Sequence, residues 1–397
     1  MSTPRRPARL LCAATLAASL LATAGFATAG FATATPAPGD GGAPGAIIGT
    51  AAQPDGWHTV SGGEVVDYWT TASDGRAVPV SGALVVPPGP APAGGWPIIA
   101  WDHGTSGFGA GCGGEAVPYG GQTASESARG DEIFRYFLAH GFAVVAPDYI
   151  GLGPYATGAH PYLELSSEGT ATVDLVRAAR AAHPELSRTW AVIGQSQGGH
   201  AALGASWIQA TYAPELDFRG TVTIDPASDI EPILPLVGPS STLDLGPDTT
   251  AFGAGILAGL RATHPEIDLD GYLSPAGRAL LDEAPDLCLP EMTTRVAGLT
   301  LGDLLSRSLN EPAVRAAADT YLTVPTSGYT RPILILANVR DLTVPTPLHL
   351  ALIAQFAAAG VDFRTVLGDG THCVLSPAMW SAIDAWTANL LATPVVP

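Results

Sequence analysis

The sequence predicts an α/β protein, with a mostly parallel central sheet, helices on both faces and a late helical insertion. Three observations carry this. Short, continuously apolar runs recur at 96–101, 142–147, 189–194, 220–225, 331–338 and 361–367, as expected for strands buried on both faces. Helical patterns alternate with them, at about 125–140, 168–184, 197–212, 345–359 and 376–391. Between 225 and 329 the alternation stops, and leucine-rich, proline-broken helical sequence takes over.

Taken in order, the chain opens on an expected export signal over 1–29. Arg5, Arg6 and Arg9 form the basic region and Leu10 to Phe26 the apolar one, with small-residue cleavage sites ending at Ala29 or Ala34. A secreted, extracellular protein is expected. Residues 30–60, rich in proline, glycine and alanine, read as an irregular segment. A hairpin follows over 64–70 and 77–86, turning at Ser73, Asp74 and Gly75. The α/β core is expected over 61–226 and 327–397. The insertion, 227–326, reads as a helical cap over the C-terminal edge of the sheet.

Composition removes many chemistries. The formal charge is −18, and without the three N-terminal arginines 15 basic residues face 36 acidic ones. Such a surface repels nucleic acid, so no nucleic-acid partner is expected. All 18 basic residues are arginine. The lack of lysine excludes a Walker phosphate-binding lysine, a pyridoxal Schiff base and a Ser-Lys dyad. No His/Cys/Asp spacing of metal type is visible, and no cofactor is expected. Beyond Cys12 in the signal, Cys112, Cys288 and Cys373 remain. One disulfide and one further thiol is the simplest arithmetic.

The chemistry centres on Gly194, Gln195, Ser196, Gln197 and Gly198, between a strand and a small-residue helix. In that setting G-x-S-x-G reads as a nucleophile elbow: the serine is held in a strained conformation, and Gly194 and Gly198 leave room for it. A serine hydroxyl needs a base within hydrogen-bond reach, itself oriented by a carboxylate. Asp341, after the strand ending at Asn338, is the expected acid. His372, in the turn after the last strand, is the expected base. Asp369 is a rival acid but shares that turn. The oxyanion formed on acyl attack needs two donors. The Gln197 amide is one, and the loop Asp102, His103, Gly104, Thr105 supplies the other, Thr105 before Gly104. Asp148 and Asp174 read as structural, and His160 as a candidate for the site entrance.

These residues carry a family resemblance. His103 to Gly107, Asp148 to Gly153, His160 to Leu163, Asp174 to Ala178, the elbow, Thr263 to Glu266, Cys288 to Pro290, and Asp341 with Val344 and Pro345 resemble the secretory lipase family of α/β hydrolases. The resemblance spans roughly 60 to 390. It implies the α/β-hydrolase fold, a Ser196–Asp341–His372 triad, a cap holding an acyl tunnel, and a Cys112–Cys288 disulfide joining oxyanion loop to cap. It also implies hydrolysis of lipid-like carboxylic esters, with small-molecule or lipid esters as partners and transient contact with lipid interfaces. Yeast members have a second disulfide and a C-terminal flap; here Ala357 and its alanine-rich surroundings offer no counterpart, which favours smaller or more soluble esters. A capped serine exopeptidase and a non-catalytic acyl-binding protein are the competing readings. The sequence leaves oligomeric state open.

Overall fold

The computed structural model describes residues 41–53, 59–116 and 124–397. The expected export signal and both its cleavage sites lie outside them. Nine strands form one sheet in the order β1-β2-β3-β5-β4-β6-β7-β8-β9. β1 (Ile47–Ala52), β2 (Glu64–Thr71) and β3 (Ala77–Val85) form an antiparallel wing, and β3 is also antiparallel to β5 (Ala143–Pro147). The remaining strands run parallel: β4 (Trp96–Asp102), β6 (Leu186–Gln195), β7 (Asp217–Ile224), β8 (Ile333–Asn338) and β9 (Phe363–Gly368). This is the expected α/β-hydrolase architecture.

β1 corrects the sequence reading, which expected only irregular chain over 30–60. Its six residues are almost all exposed and include only two large apolar side chains, Ile47 and Ile48. An edge strand of this kind is held by its ladder to β2 rather than by burial, and hydropathy cannot reveal it.

The uninterrupted apolar runs have a direct cause. Ile99, Trp101, Val144, Ala146 and Ile193 point to one face of the sheet, where they pack with Phe134, Phe137, Ile383 and Trp386. Ile98, Ala100, Val145, Trp190 and Val192 point to the other, against Val173, Val176, Ala202 and Ala205. The first face is covered by α1 (Ala124–Ala139) and α9 (Pro377–Leu390), the second by α2 (Leu165–Ala182) and α3 (Gln197–Tyr212). Because side chains alternate between faces, both parities must be apolar. α8 (Thr346–Ala359) follows β8 and packs Leu352 and Phe356 with Ile333 and Ile335.

The insertion contains α4 (Pro247–Thr263), α5 (Pro275–Glu283), α6 (Leu289–Arg295) and α7 (Pro312–Leu322). The prolines that break its sequence sit in the first two positions of these helices, where no amide partner is lost. Its apolar faces form one cluster with Phe108, Tyr162, Leu163 and Val344, residues from the loops beyond β4, β5 and β8. The insertion therefore packs on the C-terminal rim of the sheet. Gly107 pairs with Cys288 in a β-bridge, and the adjacent Cys112–Cys288 disulfide locks that junction.

Candidate active site

Parallel register gathers the site. Asp102 lies beside Gly194, Gln195 beside Ile224, and Asn338 beside Gly368. With Ile224 beside Leu336, five strands thus end at nearly one level, and the loops leaving them reach the same rim.

The strand-to-helix turn after β6 places Ser196 at φ 54° and ψ −119°, a conformation costly for a residue with a β-carbon. Its neighbours enforce it. A methyl group on Gly194 would lie 2.0 Å from the Gly198 carbonyl oxygen, and one on Gly198 1.9 Å from that of Asp102. The serine amide donates to the Ile224 carbonyl at 2.9 Å, and its own carbonyl accepts from the Ala227 amide at 3.1 Å. Ser196 remains partly exposed between buried neighbours. Gln197 is the first residue of α3, so its amide has no acceptor within the helix.

Asp341 and His372 meet. His372 Nδ1 lies 2.6 Å from Asp341 Oδ2. The other carboxylate oxygen accepts from the amides of Thr343 and Val344, at 2.9 and 3.1 Å. His349 Nε2 adds a further contact to Oδ2 at 3.0 Å. Burial alone would raise the Asp341 carboxyl, but the hydrogen bonds from His349 and His372 outweigh it and bring it down to about 2. The carboxylate is therefore ionised at any ordinary pH and fixes a proton on His372 Nδ1. His372 Nε2, opposite, is buried and makes no hydrogen bond among the described residues, with Ser196 Oγ or any other group. The two are nonetheless tied to one strand end: Ser196 through Ile224, and the turn after His372 through the Cys373 amide, which donates to Asp225 at 2.6 Å.

The loop after β4 carries the candidate oxyanion donors. Thr105 is buried, and its hydroxyl lies 2.8 Å from that of Tyr162. Gly104 sits against Gln195, within ordinary contact distance for an added methyl. The insertion clamps the following residues: the Phe108 amide donates to Leu287 at 3.0 Å, and the Leu289 amide donates to Ser106 at 2.9 Å. Upstream, burial lowers His103 to about 4, so its ring is neutral, stacked on Tyr149 with centroids 4.6 Å apart.

Behind the elbow lies a buried polar network that sequence spacing did not reveal. Glu168 Oε1 accepts from the Gln197 side chain at 2.8 Å and from the Leu163 amide at 3.1 Å, while Oε2 lies 2.8 Å from His200 Nδ1. The Gln197 amide nitrogen also donates to His160 Nε2 at 2.7 Å, because His160 Nδ1 is committed to the Ile150 carbonyl. Burial lowers His160 to about 3, which keeps that acceptor nitrogen unprotonated. His160 is thus an interior residue, which corrects its placement at the site entrance. The residue after Ser196 is thus held by its side chain, while its backbone amide stays free of any acceptor within the helix.

The remaining expectations resolve simply. Asp369 is exposed, and His372 Nδ1 is directed to Asp341 instead. Asp148 accepts from Ser81 and from the amides of Glu115 and Ala116, while Asp174 binds Thr70, Tyr212 and Arg177. Asp225, Asp341 and His349 bring candidate ligand atoms within 4.8 Å of one another, a cluster invisible in the sequence because three separate elements supply it. Every oxygen of both carboxylates already accepts a hydrogen bond, so the donor set is arranged for protons.

The fold and this geometry define an α/β hydrolase. The secretory lipase family profile matches residues 129–390, and the chain belongs to that family. Candida antarctica lipase A superposes with a TM-score of 0.72 at 20% identity, over 90% of this chain and 86% of that one. The rice cell wall degrading esterase LipA of Xanthomonas oryzae gives 0.63 at 20% identity, over 88% and 97%. These likenesses speak for the fold. A protein of Mycobacterium tuberculosis named a probable inactive lipase is 28% identical over 237 residues, 57% of this chain. The chain spans about half, 49%, of that relative's length.

Proposed function

We propose that this protein is a secreted serine carboxylic-ester hydrolase, a lipase or esterase that cleaves lipid-like esters through an acyl-enzyme. The observation that carries the reading is the 2.6 Å Asp341–His372 contact, which leaves the opposite ring nitrogen buried and unengaged among the described residues, in a fold whose elbow serine is strained. Ser196 Oγ passes its proton to His372 Nε2 and attacks the ester carbonyl carbon. The amides of Gln197 and Thr105 hold the resulting oxyanion, with Gly104 as the alternative donor. The carbon–oxygen bond to the alcohol breaks, and His372 returns the proton to the leaving oxygen. Water, deprotonated by the same nitrogen, then releases the acid. Family membership and the Cys112–Cys288 disulfide support export. Leu236, Leu243 and Leu342, all highly exposed, are compatible with transient contact with lipid.

Turnover of p-nitrophenyl esters tests this reading: Ser196→Ala and His372→Ala should each abolish it while the protein stays folded. Substantial residual kcat in either variant refutes the assignment. A chain-length series then separates the classes, since a rate jump on emulsified long chains marks a lipase and loss beyond short chains an esterase. Cleavage of aminoacyl amides with inert esters would instead mark an exopeptidase. The unmade Ser196–His372 hydrogen bond and the inactive name of one relative favour a second reading, a non-catalytic acyl-binding protein. Acyl-chain binding with no burst on activated esters would establish it.

A further inference from the structure

His349 is a buried residue in the first turn of α8, and the mechanism above gives it no role. Its Nε2 lies 3.0 Å from Asp341 Oδ2, the same oxygen that receives His372, and 3.6 Å from Asp225 Oδ1. Carboxylate oxygens can only accept here, so Nε2 must carry the proton. His349 Nδ1 is buried and has no hydrogen-bond partner among the described residues. The ring therefore acts on this site through its Nε2–H alone.

The surroundings show what that N–H does. Asp225 and Asp341 place carboxylate oxygens within 4.8 Å of one another and of His349 Nε2, and both side chains are wholly buried. Like charges so close, away from water, drive one carboxyl to take up a proton. Asp225 accepts from the Asn338 amide, the Asn338 side chain and the Cys373 amide, at 2.7, 2.7 and 2.6 Å. Asp341 has two loop amides and the two histidines. The groups facing His349 are Asp225 beyond β7, Asp341 beyond β8 and Asp229, whose carboxylate accepts from Gln355 of α8 at 2.6 Å. His372 faces it across the shared Asp341 oxygen.

We infer that His349 is a positioning residue for the triad: its Nε2–H keeps the Asp341 carboxylate turned toward His372 and draws charge from the shared oxygen. The inference rests on the triad of the proposed function and adds a fourth member that never touches substrate. Without the donor, Asp341 is freer to rotate, and its undiluted charge grips the imidazolium of His372 more tightly. Turnover should fall at the chemical step, and the acid limb of the pH profile should move to higher pH.

Two variants in the full-length protein decide it. His349→Phe removes the donor, whereas His349→Gln places an amide N–H near the position of Nε2. His349→Phe should lower kcat roughly 10- to 100-fold, the range of one hydrogen bond to a charged group, with KM nearly unchanged. Its acid limb should rise by about half to one pH unit, and His349→Gln should recover most of both effects. Proton NMR supplies a readout free of turnover: the downfield His372 Nδ1–H resonance should titrate at higher pH in His349→Phe than in wild type or His349→Gln. An unmoved resonance and acid limb in a folded His349→Phe variant, or equal loss in both variants, overturns the inference. Wild-type protein inert to every ester would instead fail the proposed function, and the resonance would still decide the role of His349.

Discussion

Gly198 lies so close to Asp102 that a β-carbon on it would come within 1.9 Å of the Asp102 carbonyl oxygen. The helix that starts after Ser196 therefore rests directly on the strand that leads into the loop of His103, Gly104 and Thr105. Neither side yields easily, because Asp102 ends a central strand of the sheet and Gly198 lies in the first turn of the helix packed on it. Gly198→Ala should cost several kcal/mol, in the range of severe overpacking. Thermal melts should show it unfolded or strongly destabilised, while Gly49→Ala, with nothing within 4 Å, serves as the mild control. A Gly198→Ala protein that melts with wild type would show that the elbow relaxes easily.

Asp341→Asn separates charge from shape. The amide fits the same space but cannot accept from both histidines and both loop amides at once. By analogy with the serine-protease triad, activity should fall about 10⁴-fold through the wrong imidazole tautomer. The carboxyl sits at about 2 in the fold against an ordinary 3.8. Its contribution, about 2 kcal/mol, is present above pH 3.8 and is lost as pH falls toward 2. Denaturant unfolding across that window should show the acid slope in wild type and a flatter one in Asp341→Asn.

His103 predicts a different acid window. Burial lowers it to about 4 from an ordinary 6.5, so the folded protein binds its proton less readily than the unfolded chain. Stability is full above 6.5 and declines as pH falls toward 4, by up to about 3 kcal/mol. Unfolding free energies for His103→Gln should decline less between those values. Parallel wild-type and variant curves would remove His103 from the acid response.

The Cys112–Cys288 bridge closes a 176-residue separation across the loop–insertion junction. Loop entropy assigns such a crosslink about 5 kcal/mol, an upper value when the reduced chain keeps structure. Cys112→Ser with Cys288→Ser should lower Tm by many degrees. Activity should fall as well, because residues 106 and 108 lose part of their clamp beside Thr105. A double variant with wild-type activity would show that the backbone bonds to Leu287 and Leu289 hold the loop unaided.

Legibility in the sequence followed burial and local chemistry. The central strands were visible because both faces of the sheet are covered, and apolar residues such as Ile98 and Ile99 point opposite ways. β1 was hidden because exposed edge pairing leaves no hydropathy signal. At the site, Gly194, Ser196 and Gly198 announced themselves through the steric demands of a tight turn. The Asp341–His372 contact followed from their places after β8 and β9. Glu168, His200 and His349 gave no comparable sign, since their partners come from other elements and no fixed spacing links them. The one available cue for His349 was its place in the first turn of the helix after the acid loop, from which a side chain reaches back toward that loop.

Labelling with a fluorophosphonate, followed by peptide mapping, tests the central claim most directly. One covalent adduct on Ser196 is expected, formed rapidly in wild type and far more slowly in His372→Ala. An adduct on another residue, no adduct, or equal rates in both proteins would contradict it.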